Sequence, residues 1–264
     1  MADLIETVQG GVATLTMNRP DALNAFTPEM VIDLTASLNR LSMDDAVRVI
    51  VLTGTGKAFS AGGDVKSFAK RAKDGVLASF ESRSQDLRSR MEVSRLLHEI
   101  PKPTLAVIPG PAAGAGFSLA LACDMRIASS EAKMTTAFAN VGLTGDFGGS
   151  YFLTNLVGAA KARELYFSAR VIKGDEAHEL GIVNRVVPYA ELAAAANEFA
   201  QELATRPTVS LGYMKKNLNI ALHGSLNDVL DAEAIHMTRA FETEDHKAAA
   251  KAFVDKRKPE FQGR

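Results

Sequence analysis

Two short runs of β-favouring residues, Leu4 to Val8 and Val12 to Met17, open the chain on either side of Gln9-Gly10-Gly11. A glycine pair between such runs predicts a hairpin. The period then changes. Thr27 followed by Pro28 supplies an N-cap with proline at the first helical position, and Met30, Leu34, Leu38 and Leu41 recur at helical spacing. Val47 to Thr53 is a mostly apolar run of strand length, which completes a β-α-β order. The same signal returns at Leu105 to Ile108, followed by the glycine-rich stretch Gly110 to Gly116, a helical run from Phe117 to Cys123, and a strand from Met125 to Ala128. Alternating buried strands and helices predict an α/β layered fold.

Beyond residue 190 only helical spacing remains. One face carries Leu192, Ala196, Phe199 and Leu203, the next Leu211, Met214, Leu218 and Leu222, and the last Leu226, Leu230, Met237 and Phe241. The expected organisation is therefore a core over residues 1–190 and a helical region over 191–264. Apolar stripes so closely spaced need partners, so docking on the core or on another subunit is expected. No internal repeat or low-complexity linker is visible in the sequence.

At 264 residues with 47% hydrophobic and 23% charged residues, the composition is that of an ordinary globular protein. A formal net charge of -1 argues against nucleic-acid binding. No run reaches the roughly 20 apolar residues that cross a bilayer, so no membrane association is expected. The first residues show no secretory leader, and the single Cys123 cannot form an internal disulfide. The expectation is a cytoplasmic protein in which Cys123 is a small buried hydrophobe.

Two segments could present main-chain N–H groups to a ligand: Ser60-Ala61-Gly62-Gly63-Asp64 after a strand, and Gly110 to Gly116 before a helix. Small residues admit close approach, and a helix N-terminus adds partial positive charge. Either segment alone also reads as a tight turn. A dinucleotide fingerprint fails because Leu119 stands where a third glycine belongs. His98, His178, His223, His236 and His246 lack metal-ligand spacing, so no metal is expected, and His178 and His246 fall in polar helical stretches typical of surfaces. The closest approach to a nucleophile elbow, around Ser118, ends in Ala120 rather than glycine. Asp146, in Thr144-Gly145-Asp146-Phe147-Gly148-Gly149 before the helical run Tyr151 to Val157, reads by itself as a helix cap or turn residue.

Four segments, Asn18 to Ala25, Lys57 to Asp64, Gly110 to Asp124 and Glu179 to Pro188, give the chain its resemblance to the crotonase (enoyl-CoA hydratase/isomerase) family over nearly its whole length. The resemblance implies a spiral of ββα repeats with a C-terminal helical trimerisation region, assembling as a homotrimer or a dimer of trimers. It implies an acyl-CoA substrate, with coenzyme A as part of that substrate and no permanently bound cofactor. The thioester oxygen would rest on the N–H groups of Gly63 and Ala115. Ala22, Leu23, Ala25 and Ala61 would line the adenine and pantetheine path, with Asp64 and Val65 at its inner end. Gly114, Ser118, Phe138 and Val141 would adjoin the substrate, and Lys256 could reach a CoA phosphate, although it also reads as a solvated helix charge.

Hydratases of this family carry two glutamates, whose positions here read Ser118 and Phe138. Neither transfers a proton at neutral pH, which leaves Asp146 as the acid in that segment. The stretch Ala137 to Gly149, with Phe253 to Arg257 and Pro259-Glu260-Phe261, is most similar to the ring-epoxide phenylacetyl-CoA isomerases. An acyl-CoA isomerase with Asp146 as acid/base is the leading expectation. Hydratase-like chemistry, dehalogenase-like attack by Asp146 and a non-catalytic CoA-binding role stay open. Phe68 to Ser84 is expected to shape the acyl pocket.

Overall fold

The computed structural model describes residues 2–63 and 78–264. Strands β1 (Leu4–Gln9) and β2 (Val12–Met17) form the expected hairpin, with Gly10 and Gly11 at φ 57° and 78° in the turn. Helix α1 (Pro28–Ser42) begins at Thr27, whose hydroxyl accepts from the Met30 N–H, and it buries the predicted stripe Met30, Leu34, Leu38 and Leu41. Strand β3 (Val49–Gly54) starts two residues later than the apolar run suggested, because Val47 closes a turn onto the Asp44 carbonyl. Helices α2 (Phe80–Arg90) and α3 (Glu92–Glu99) lead to β4 (Thr104–Ile108).

From there the chain repeats one motif. Strand β4 enters a large sheet, β5 (Ala112–Ala113) enters a small one, and α4 (Ala115–Ala122) closes the turn. Strands β6 (Met125–Ser129) and β7 (Lys133–Thr135) do the same, followed by a 3-10 turn at Phe138–Val141 and α5 (Gly149–Ser168). Helix α5 is interrupted at Gly158, at φ 75° and ψ 162°. Strand β8 (Ile172–Lys173), α6 (Gly174–Glu179) and β9 (Arg185–Val187) return the chain to the large sheet. The sheet orders are β1-β2-β3-β4-β6-β9 and β5-β7-β8. All neighbours in the large sheet after the first hairpin are parallel. This is the expected spiral of ββα turns within an α/β fold.

A parallel sheet buried on both faces requires strands that are apolar throughout. One face contributes Ala13, Leu15, Ile50, Leu52, Ala106 and Ile108 to a core shared with α1, α3 and α4. The other contributes Val12, Val49, Val51, Leu105, Val107 and Ile127, covered by α7 (Tyr189–Ala204) through Leu192, Ala196 and Phe199. The division expected at residue 190 thus falls in the first turn of a helix that covers the sheet. Cys123 is buried as expected, and burial pushes its thiol up to about 12.

Of the two expected placements for the apolar stripes, on the core or on another subunit, the remaining helices α8 (Thr208–Ala221), α9 (Leu226–Glu242) and α10 (Glu244–Val254) do not take the first with the α8 and α9 stripes. Met214, Leu218 and Leu222 of α8 are exposed, and α9 buries no residue. The side of α8 that meets the core instead carries Gly212 and Lys215. The ammonium group of Lys215 donates to the Leu97 and Lys102 carbonyls and to Asp124 Oδ2 at 2.9, 3.2 and 2.8 Å. A buried amine is tolerated where each of its donors is paired. Among the described residues no helix is long and apolar enough to cross a membrane.

Candidate active site

The spiral presses two chain reversals together. In the first, Asn24 adopts φ 55° and is fully buried. Its amide donates to the Thr55 and Ala58 carbonyls at 3.0 and 2.8 Å, and its Oδ1 accepts from the Arg19 N–H at 2.9 Å. Ser60 Oγ donates to the Asn24 carbonyl at 2.7 Å and accepts from the Gly62 N–H at 3.0 Å. The Phe26 N–H bonds the Gly62 carbonyl and the Ala61 N–H bonds the Leu23 carbonyl. Leu23, Ala25 and Ala61 are thereby gathered at one edge beside Ala22, with Leu23 half exposed. Asp64 and Val65 lie outside the described residues, as does Phe68 to Ser84 up to residue 77.

The second reversal runs from β5 into α4 through Gly114, at φ 53° and ψ -126°. Its N–H bonds the Thr135 carbonyl, and Ser60 bridges Ala112 in parallel. A Cβ on Gly62 would stand 2.6 Å from Ala113 O and 2.9 Å from Ala115 N, and one on Gly116 would stand 2.4 Å from Ser60 O. Only glycine permits this contact of backbone with backbone. Neither the Gly63 nor the Ala115 N–H has an acceptor among the described residues. The Ala115 N–H also opens a helix, where main-chain donors are unpaired and the dipole is positive.

Asp146 sits on the loop between the 3-10 turn and α5. Its side chain does not cap α5, whose N-cap is Gly148 without a side-chain bond. Instead Oδ1 is buried with no hydrogen-bond partner among the described residues, and burial pushes the carboxyl up to about 6. The loop is strained. Gly145, Phe147 and Gly148 take φ 113°, 50° and 75°, and a left-handed phenylalanine persists only where packing enforces it. The Phe147 ring is buried against Phe26, at 5.5 Å between centroids.

Aromatic and hydroxyl groups join Asp146 to the glycine turns. The Phe138 and Tyr166 rings stack at 6.2 Å and 11°. A Cβ on Gly145 would touch both rings, and one on Gly114 would lie 3.6 Å from Phe138. A Cβ on Gly149 would collide with Ser118 Oγ and the Tyr166 hydroxyl at 2.2 and 2.6 Å. Gly114, Ala115, Ser118, Phe138 and Asp146 are therefore one neighbourhood, and Val141 is exposed at its margin. Lys256 is not drawn in. It is exposed beyond α10 at φ 52°, and its ammonium group has no hydrogen-bond or ion-pair partner among the described residues. Tyr166 was not found by sequence reasoning: it stands 20 positions after Asp146, beyond the Gly158 break, where no periodicity assigns its direction. Among the described residues no three His, Cys, Asp or Glu side chains cluster as a metal site.

A spiral of ββα turns that locks a glycine elbow against a helix N-terminus defines a crotonase-type α/β enzyme. The chain belongs to the enoyl-CoA hydratase/isomerase family, whose model matches residues 7–264. It is 36% identical over 264 residues to 1,2-epoxyphenylacetyl-CoA isomerase of Escherichia coli, with all of both chains covered. It is 35% identical over 253 residues to short-chain-enoyl-CoA hydratase of Clostridium acetobutylicum, covering 96% of this chain and 94% of that one. Among solved structures, an enoyl-CoA hydratase from Polaromonas sp. superposes with a TM-score of 0.91 at 31% identity, covering 98% and 99% of the two chains. The protein is thus an acyl-CoA enzyme of hydratase/isomerase type.

Proposed function

We propose that the protein isomerises an acyl-CoA, with Asp146 moving one proton across a thioester enolate whose oxygen rests on the N–H groups of Gly63 and Ala115. The observation that carries this reading is one carboxylate oxygen: Asp146 Oδ1 is buried with no hydrogen-bond partner among the described residues, while Ser118 and Phe138 occupy the positions where the family's hydratases have glutamates. Hydration needs one group to activate water and another to deliver a proton. Isomerisation needs one group that takes a proton from one carbon and returns it to another. A carboxyl raised to about 6 by burial is matched to that exchange near neutral pH. Main-chain donors fixed in advance stabilise charge as it develops on the thioester oxygen, each lowering the barrier by about 3 to 4 kcal/mol.

The acyl-CoA would run past Ala22, Leu23, Ala25 and Ala61 toward Asp64 and Val65, with Gly114, Ser118, Phe138 and Val141 around the acyl end. Lys256 would approach a CoA phosphate, and from its exposed position could do so across a subunit boundary. Exposed apolar faces on α8 and α9 support a homotrimer or dimer of trimers.

The test is solvent deuterium exchange into a 3-enoyl-CoA, together with double-bond migration. The wild type exchanges and isomerises, and Asp146→Asn does neither while still binding acyl-CoA. Unchanged turnover in a folded Asp146→Asn protein removes Asp146 from the mechanism.

A further inference from the structure

The Asp146 carboxylate and the Gly63 N–H come from different turns of the spiral, and one pair of rings spans the gap between their segments. On one side, the Phe26 N–H donates to the Gly62 carbonyl at 2.8 Å, and Phe26 pairs with Gly63 as a parallel bridge. The segment that presents the Gly63 N–H is therefore bonded to the Phe26 backbone. On the other side, Phe147 directly follows Asp146, and its ring meets that of Phe26 at 5.5 Å between centroids and 58° between planes. Tilted rings at that separation attract one another beyond the apolar area they bury.

Phe147 is also the residue least suited to its own backbone. Gly145, Phe147 and Gly148 take φ 113°, 50° and 75°, angles that glycine adopts freely and phenylalanine does not. A glycine at position 147 would be relaxed, so it is the packing of the ring that holds this backbone left-handed and, through it, the direction of the preceding Asp146. The Gly149 N–H closes the turn onto the Asp146 carbonyl at 3.2 Å. Phe147 is 5% exposed and belongs to the main core, while Asp146 Oδ1 beside it is buried with no hydrogen-bond partner among the described residues.

We propose that Phe147 and Phe26 are positioning residues for proton transfer: their ring contact holds the Asp146 carboxylate at a set distance from the Gly63 N–H and keeps water away from it. The inference rests on the enolate reading given above, with Asp146 as the base. Displacing a reacting group by about 1 Å costs on the order of 100-fold in rate. Substrate binding does not use the contact, so the loss falls on kcat rather than on KM.

Phe147→Gly removes the ring and suits the left-handed backbone. It is expected to lower both kcat and solvent deuterium exchange into a 3-enoyl-CoA about 10- to 100-fold, with KM little changed. The acid limb of kcat/KM moves down from about 6 toward the ordinary aspartate value of about 4 as water reaches the carboxylate. Tyr166, the titratable side chain coupled to Asp146 among the described residues, stays neutral over this range, because burial and then the Asp146 charge push its phenol up to about 12. Phe26→Val breaks the contact from the other side and produces the same two changes, and the double variant loses no more than Phe147→Gly, since the contact is already gone. A folded Phe147→Gly protein with wild-type kcat, or with its acid limb still at about 6, overturns the clamp, as do losses that add independently in the double variant. If Phe147→Gly does not fold, Phe26→Val decides by its kcat and acid limb. Full turnover in Asp146→Asn overturns the enolate reading and the clamp with it, whereas an inactive Asp146→Asn beside wild-type behaviour in both ring variants overturns the clamp alone.

Discussion

Gly62 and Ala115 meet backbone to backbone: a Cβ on Gly62 would stand 2.9 Å from the Ala115 nitrogen, at a residue whose φ is 80°. The contact joins two segments 53 positions apart, and it depends on the absence of a side chain. Asn24 and Ser60 brace it from behind by hydrogen bonds to carbonyls and to the Gly62 N–H.

Gly62→Ala is therefore expected to force the two turns apart. Left-handed strain and the clash with Ala113 O together cost about 1–3 kcal/mol of stability. Displacing the donors by about 1 Å lowers turnover on the order of 100-fold. Urea denaturation and steady-state kinetics on the purified variant measure both effects, and an alanine variant with full activity would contradict the close approach.

Asp146 should set the acid limb of activity. As a base it works ionised, so kcat/KM rises with pH through about 6 and levels above it. A pH series with a 3-enoyl-CoA reads this, and the limb disappears with the activity in Asp146→Asn.

The same carboxyl should cost stability. Its pKa is higher in the folded protein than in the unfolded chain, so folding favours the protonated form. The penalty is absent below the unfolded value of about 4, grows as pH rises toward about 6, and is complete above that. Asp146→Asn is expected to stabilise the protein by on the order of 2 kcal/mol at pH 7.5 and by little at pH 4. Thermal midpoints at the two pH values provide the comparison.

Lys215→Met should be strongly destabilising, because it leaves Asp124 and the Leu97 and Lys102 carbonyls without their shared donor. Breaking a buried pair from one side costs about 3–5 kcal/mol. Adding Asp124→Asn recovers part of the loss, and a double-mutant cycle by urea denaturation measures the coupling.

The exposed faces of α8 and α9 should hold subunits together. Leu218 and Met237 are 68% and 59% exposed in the single chain. The double variant Leu218→Glu, Met237→Glu is expected to sediment at a lower mass than the wild type in analytical ultracentrifugation.

The sequence by itself determined the first hairpin, the Thr27-capped helix and the buried strands, because local hydrogen-bonding capacity and apolar period are written residue by residue. It also carried the family's four motifs, and with them the candidate roles of Gly63, Ala115 and Asp146. Its apolar periods did not show that successive strands alternate between two sheets, which only the family resemblance implied, since that repeat lies in the backbone path and leaves no repeated residues. Nor could it choose which side of α8 faces inward: the apolar stripe pointed to Leu218, yet the core receives Lys215, because a carboxylate and two carbonyls from distant segments are waiting for an amine. Only the tertiary structure decided that the Tyr166 and Ser118 hydroxyls both lie beside Gly149, and that Asp146 Oδ1 is buried with no hydrogen-bond partner among the described residues. Both are properties of neighbours supplied by other turns of the spiral, and a partner's distance along the chain says nothing about its distance in space.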